Sequence, residues 1–192
     1  MLGDRLTRAV WRITMKSILV ATLLLSASAF AGQGMQISPP PKELAKANFF
    51  VGKWAGPMKL YGMGSAPMTV KGSMSGKKTL DNRYIQSMHL MDMGRSGKME
   101  GMHLLSYDPA KKQFVAFWFD SSAPGVMEMA GNFQGNQLIM VSKPTEIPGM
   151  PAPMVMRATW TKVSNSKLTF KLQSKDGDKW APMIEGDFRK VG

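Results

Sequence analysis

Residues 83–107 read RYIQSMHLMDMGRSGKMEGMHLLSY, and this stretch decides the fold. Apolar and polar residues alternate on both sides of Gly94-Arg95-Ser96-Gly97, as in strands with one buried face. A connection this short joins antiparallel neighbours, because a parallel crossover needs a dozen or more residues. The stretch is therefore expected to be a hairpin, with strands over Arg83–Met93 and Lys98–Tyr107.

The same pattern continues outward in both directions. Strands are expected before it at Lys53–Tyr61 and Met68–Lys77. After it they are expected at Gln113–Asp120, Val126–Phe133, Gln137–Lys143, Met154–Val163, Lys167–Ser174 and Lys179–Lys190. The breaks carry turn chemistry, such as Asp81-Asn82, Asp108-Pro109, Gly135-Asn136 and Asp176-Gly177-Asp178. No helical period interrupts the run. The expected fold is all-β, an antiparallel meander of about ten strands closed into a barrel, which removes unpaired edges. Pro144–Pro153 is the longest connection and is expected to border the barrel mouth.

Ahead of the first strand, Pro39-Pro40-Pro41 leads into a short helix expected over Lys42–Asn48, with Leu44 and Ala47 on one face. Further upstream, Lys16 precedes an apolar run, Ile18–Leu25, and a small-x-small exit, Ala29-Phe30-Ala31. That is the pattern of a cleaved secretory signal peptide over residues 1–31. Met15 offers a second start that still leaves a full signal. The run is too short to stay in a bilayer as a spanning helix. Residues 32–48 then form the lead and helix, and 49–192 the barrel. The expected location is periplasmic or secreted, with no integral membrane segment in the mature chain.

Composition narrows the chemistry. The 192 residues contain no Cys and two His, His89 and His103. Thiol nucleophiles, disulfides and multi-Cys or multi-His metal centres are excluded. The formal net charge is +12. Loss of residues 1–31 removes four basic residues and one acidic residue, lowering it to +9. The lysines are dispersed along the last strands, which reads as a solvated face. Export argues against a nucleic-acid partner.

Three segments carry a resemblance: PPPKELAKANFFVGKWAG at 39–56, GMHLLSYDPAKKQFVAFWFDSSAPGVMEMAGNF at 101–133 and EGDFRKV at 185–191. In this order they resemble the domain-of-unknown-function 1579 family, exported or soluble bacterial proteins expected to form lipocalin-like barrels. The resemblance covers nearly all of the chain after the signal. It implies fold and compartment and supplies no catalytic residue. Gly52-x-Trp54 also looks like the barrel-closing signature of lipocalins, in which the Trp packs under a basic residue of the last strand. Arg189 is the residue expected in that place, stacked on the indole. The Gly-x-Trp-x-Gly run is also similar to haem-binding nitrobindin-like barrels. Those need a late proximal His, and no His follows His103, so no haem is expected.

Met stands at 19 of 192 residues, several times ordinary usage. Thioethers pack as adaptable filler, and with imidazole they are also ligands for Cu(I). If Gly94–Gly97 is a four-residue turn, His89 opposes Met102 and Met91 opposes Glu100. His89, Met91, Met93 and Met102 then share a face as a copper-binding alternative. The leading expectation needs no cofactor: a non-enzymatic barrel binding a small apolar or amphiphilic ligand. Its lining candidates are Met88, His89, Met91, His103, Phe117, Trp118, Met127, Met129 and Trp160. Phe117 and Phe119 share one face of their strand and Phe114 and Trp118 the other. The outward set is expected to pack against a second subunit or a covering loop. A hydrolase acting on envelope lipids or esters is the enzyme alternative. Gly72-Ser-Met-Ser-Gly76 lacks the nucleophile-elbow spacing, and no catalytic residue is assigned.

Overall fold

The computed structural model describes residues 38–62, 64–147 and 151–192. The expected signal peptide at 1–31 lies outside the described residues. Ten strands follow in order: β1 Gly52–Leu60, β2 Met68–Thr79, β3 Tyr84–Asp92, β4 Lys98–Asp108, β5 Gln113–Asp120, β6 Ala123–Gln134, β7 Gln137–Ser142, β8 Met156–Lys162, β9 Lys167–Asp176 and β10 Lys179–Lys190. Each pairs antiparallel with its neighbour in sequence, and β1 pairs with β10 to close the barrel. The meander expected from alternation is the fold observed.

The expected helix is a 3₁₀ helix over Lys42–Phe50, two residues longer than Lys42–Asn48. Its buried residues are Leu44, Ala47 and Phe50. They recur every three residues, the repeat of a 3₁₀ turn, so one straight stripe faces inward. The helix packs against β2, β3 and β4. Phe50 reaches under the strands, with its ring 5.1 Å from Trp160 and 5.6 Å from His103. The carbonyl oxygen of Phe50 occupies the space that a Cβ at Gly76 would need, so the missing side chain lets the helix seat against β2. This end of the barrel is closed. The opposite end, the mouth, carries the hairpins β1–β2, β3–β4, β5–β6, β7–β8 and β9–β10. There Thr145 and Met154 exchange two backbone hydrogen bonds, of 2.9 and 2.8 Å, across the Pro-rich connection.

Pleat alternation assigns each strand a lumenal face. It comprises Trp54, Met58 and Leu60 on β1, and Val70, Gly72, Met74 and Gly76 on β2. Odd residues 85–91 of β3 and 99–105 of β4 face inward, as do even residues 114–118 of β5. The core runs from the helix through Trp54, Ile85, Leu105, Phe114, Leu138, Trp160, Leu168 and Phe188. A second apolar cluster, around Leu60, Val70 and Met91, sits toward the mouth.

Two sequence-based expectations are corrected by register. The β3–β4 turn is the three-residue Gly94–Ser96, with Met93 N–H bonded to Gly97 O at 3.0 Å. His89 therefore opposes Gly101, Met91 opposes Met99 and Met88 opposes Met102. A one-residue change of register moves a whole strand's side chains to the other face. Met102 thus faces outward, where Gln86 Nε2 meets its sulfur at 3.2 Å, while His89 and Met91 face inward. The proposed set of His89, Met91, Met93 and Met102 does not come together. At the closed end, Trp54 opposes Lys190 and Arg189 opposes Ala55. Arg189 is therefore outward and exposed. The base over the Trp54 ring is Lys190, with Nζ 5.7 Å from the centroid.

Candidate functional site

The lumen beneath the mouth is built from β3, β4, β5 and β8. His89 and His103 lie on adjacent strands, offset by one inward position, and their ring centroids are 6.2 Å apart. Trp118 lies 5.1 Å and Trp160 5.9 Å from His89. Phe50 approaches His103 from the closed end, and Trp160 stacks on Phe170 at 4.2 Å. The result is an aromatic box around two imidazoles.

Local sequence explains the placement. The inward row Ile85-x-Ser87-x-His89-x-Met91 grades from the sealed end to the mouth. Gly101, opposite His89, has no side chain, and the Trp118 indole fills the space its Cβ would take. Trp118 Nε1 donates to Asp120 Oδ2 at 2.8 Å, which orients the ring. Burial alone would raise the pKa of Asp120. The hydrogen bonds from Ser122, Trp118 and backbone N–H groups outweigh that and hold it below its ordinary value.

The polar atoms of the lumen are unusual. His89 Nε2, His103 Nδ1, Ser87 Oγ and Trp54 Nε1 are all buried and find no hydrogen-bond partner among the described residues. Buried polar groups are nearly always paired, and an orphan costs about 1–3 kcal/mol. Burial lowers the pKa of His89 to about 3, with His103 nearby adding to the effect. Burial alone lowers that of His103 to about 4. Both rings are neutral at pH 7, and each can accept or donate.

Of the expected lining residues, His89, Met91, His103, Trp118, Met127, Met129 and Trp160 face the lumen. Met88 and Phe117 face outward, Met88 being 46% exposed. Met88 opposes Met102, and Phe117 opposes Leu104. Phe50, Met74 and Ser87 belong to the lumen wall and were not singled out in the sequence. For Ser87 and Met74 the signal was present, since each continues an inward alternation already containing His89 or Gly72 and Gly76. Two hollows lie along β1–β3. One, of about 690 Å³, lies on the outer face near the mouth, over the cross-strand row Pro57, Lys71 and Asp92, and is edged by Met68 and Met93. The other, of about 390 Å³, lies on the outer wall over Ala55, Ser73, Leu90 and Glu100.

Barrel closure, the plugging helix and an inward-facing polar pair define a small lipocalin-like barrel. Residues 41–190 match the family described as "Protein of unknown function (DUF1579)", and the chain belongs to that family. No curated protein matches the sequence. Among solved structures, the chain is similar to Rv2717c from M. tuberculosis, at 11% identity and a TM-score of 0.61, covering 80% of this chain and 99% of that one. It is also similar to the S-type phycobiliprotein lyase CPES from Guillardia theta, at 10% identity and a TM-score of 0.51, with the same coverage. These likenesses show the fold. No helix among the described residues is long and apolar enough to cross a membrane.

Proposed function

We propose that the protein is an exported, non-enzymatic barrel that holds a small apolar or amphiphilic molecule in its lumen. The observation that carries this reading is the pair of neutral imidazoles, each with one buried ring nitrogen left unpaired, inside an aromatic box. Ligand sites are mostly apolar walls with a few convergent polar groups. Here Phe50, Trp118 and Trp160 supply the walls, and His89, His103 and Ser87 the polar groups. A ligand with one or two polar atoms on a largely apolar frame meets both. Neutral histidines offer an anion no charge. They are also weak bases, far from the pKa near working pH that general-base catalysis favours, which supports binding over the hydrolase alternative. Likeness to a phycobiliprotein lyase is consistent with a barrel that handles a small molecule. Export to the periplasm or beyond rests on the Lys16–Ala31 pattern.

Native mass spectrometry of protein purified from the periplasm, with fluorescence titration by 1-anilinonaphthalene-8-sulfonate, tests the reading. A co-purifying mass, or quenching of Trp emission that is lost in a His89→Phe/His103→Phe variant of normal stability, is expected. Absence of any bound mass together with probe binding unchanged in that variant would overturn it.

The reading includes self-association through the outer wall of β3–β5. Met88, Met102 and Phe119 form one cross-strand row there, and Leu104 and Phe117 another. Lys98 is the one lysine or arginine on this wall's outward strand positions, so two basic chains meet along it with little repulsion.

A further inference from the structure

The cluster nearest the mouth consists of Leu60, Val70 and Met91, packed by Met58, Met68, Met93, Met99 and Ile184. Five of these eight side chains are thioethers, where leucine and isoleucine would fill an ordinary core. Their arrangement follows from register. Met91 directly opposes Met99 across β3–β4, and Gly72 directly opposes Met91 across β2–β3. The sulfur of Met58 lies where a Cβ at Gly72 would sit. The side chain absent at Gly72 therefore lets Met58 reach across β2 toward Met91, and Met58, Met91 and Met99 form one continuous row over four strands. Met68 and Met93 flank the row and also border the hollow of about 690 Å³ at the barrel rim. Met58, Met68, Met93 and Met99 are only half-buried, so solvent reaches the cluster from the mouth.

We propose that Met58, Met91 and Met99 form a soft-metal site at the barrel mouth that takes Cu(I), with Met68 and Met93 at its entrance. Thioethers are neutral, polarizable donors that select Cu(I) over hard cations, and Cu(I) suits a site with no carboxylate, thiolate or imidazole in the row. Thioethers also carry no proton to displace, so binding holds at acidic pH. The site takes nothing from His89 or His103 and stands apart from the lumenal ligand reading.

The test is anaerobic titration of the whole protein with Cu(I) against a chromogenic Cu(I) chelator, repeated with Ag(I) as a redox-inert probe. Met58→Leu/Met91→Leu/Met99→Leu keeps the core filled, and its thermal unfolding is measured alongside. A tight equivalent is expected in the wild type and in His89→Phe/His103→Phe, with sulfur neighbours in the copper X-ray absorption spectrum. It is expected to be lost in the triple variant. Equal Cu(I) binding by the folded triple variant, nitrogen-only coordination or no binding by the wild type would overturn the proposal. If the triple variant unfolds, Met99→Leu alone decides: unchanged affinity there would overturn it.

Discussion

His89 and His103 meet nearly edge to face, their ring planes at 78° and their centroids 6.2 Å apart, and both are held neutral by burial. An unfolded histidine protonates near pH 6.5, whereas these stay neutral down to about 3 and about 4 in the folded chain. Below pH 6.5 the unfolded chain binds more protons, so stability falls as pH falls. The full contribution is present above 6.5, and each group removes about 1.4 kcal/mol per pH unit well below that point. Urea unfolding between pH 7 and pH 4.5, above the range of the depressed carboxylates, should show this slope. His89→Phe/His103→Phe should flatten it.

Strand alternation made the barrel legible, because each strand buries one face and short Gly, Asn and Asp turns leave no room for crossovers. The site was half legible. His89, Trp118 and Trp160 could be placed on a face, but which face of β4 met His89 depended on a single residue in the turn. Gly94 and Gly97 both take positive φ, 63° and 96°, and close a three-residue loop in place of a four-residue one. That shift separated Met102 from His89. The same parity argument moved the closing base from Arg189 to Lys190. The missing hydrogen bonds of Ser87 and Trp54 are tertiary facts with no local pattern.

Trp54 is 1% exposed at the closed end, and its truncation to Ala should cost about 3–5 kcal/mol. Lys190→Met removes an exposed cation over the ring and should cost about 0.5–1 kcal/mol. Arg189→Ala, on the outer face, should stay within about 0.5 kcal/mol of the wild type. Chemical denaturation of the three variants checks the order. An Arg189 effect larger than that of Lys190 would contradict the register.

Phe119 is 38% and Met88 46% exposed, and they flank Met102 on the outer wall. An apolar row of this kind on a monomer's surface marks a contact face. Met88→Lys/Phe119→Lys should convert a two-chain species to a single chain in sedimentation equilibrium, with unfolding per chain little changed. A wild type that is a single chain at every concentration tested would remove the self-association reading.

Gly101 is the position through which sequence sets the shape of the lumen. A side chain there collides with the Trp118 indole, which is tied to Asp120 by a 2.8 Å hydrogen bond and packs against His89. Gly101→Val must push the ring off that bond or bend β4. Either response strains the packing around Trp118, at about 1–3 kcal/mol. The half-buried indole would move further toward water, and the carboxylate of Asp120 would lose one of the donors that lower its pKa. The variant should therefore show red-shifted tryptophan emission and a higher Asp120 pKa by NMR titration, along with its lower stability. Trp118→Phe in the Gly101→Val background should recover part of the loss, because the smaller ring leaves room for the valine. Additive costs in that double variant would mean that Gly101 and Trp118 do not share the space.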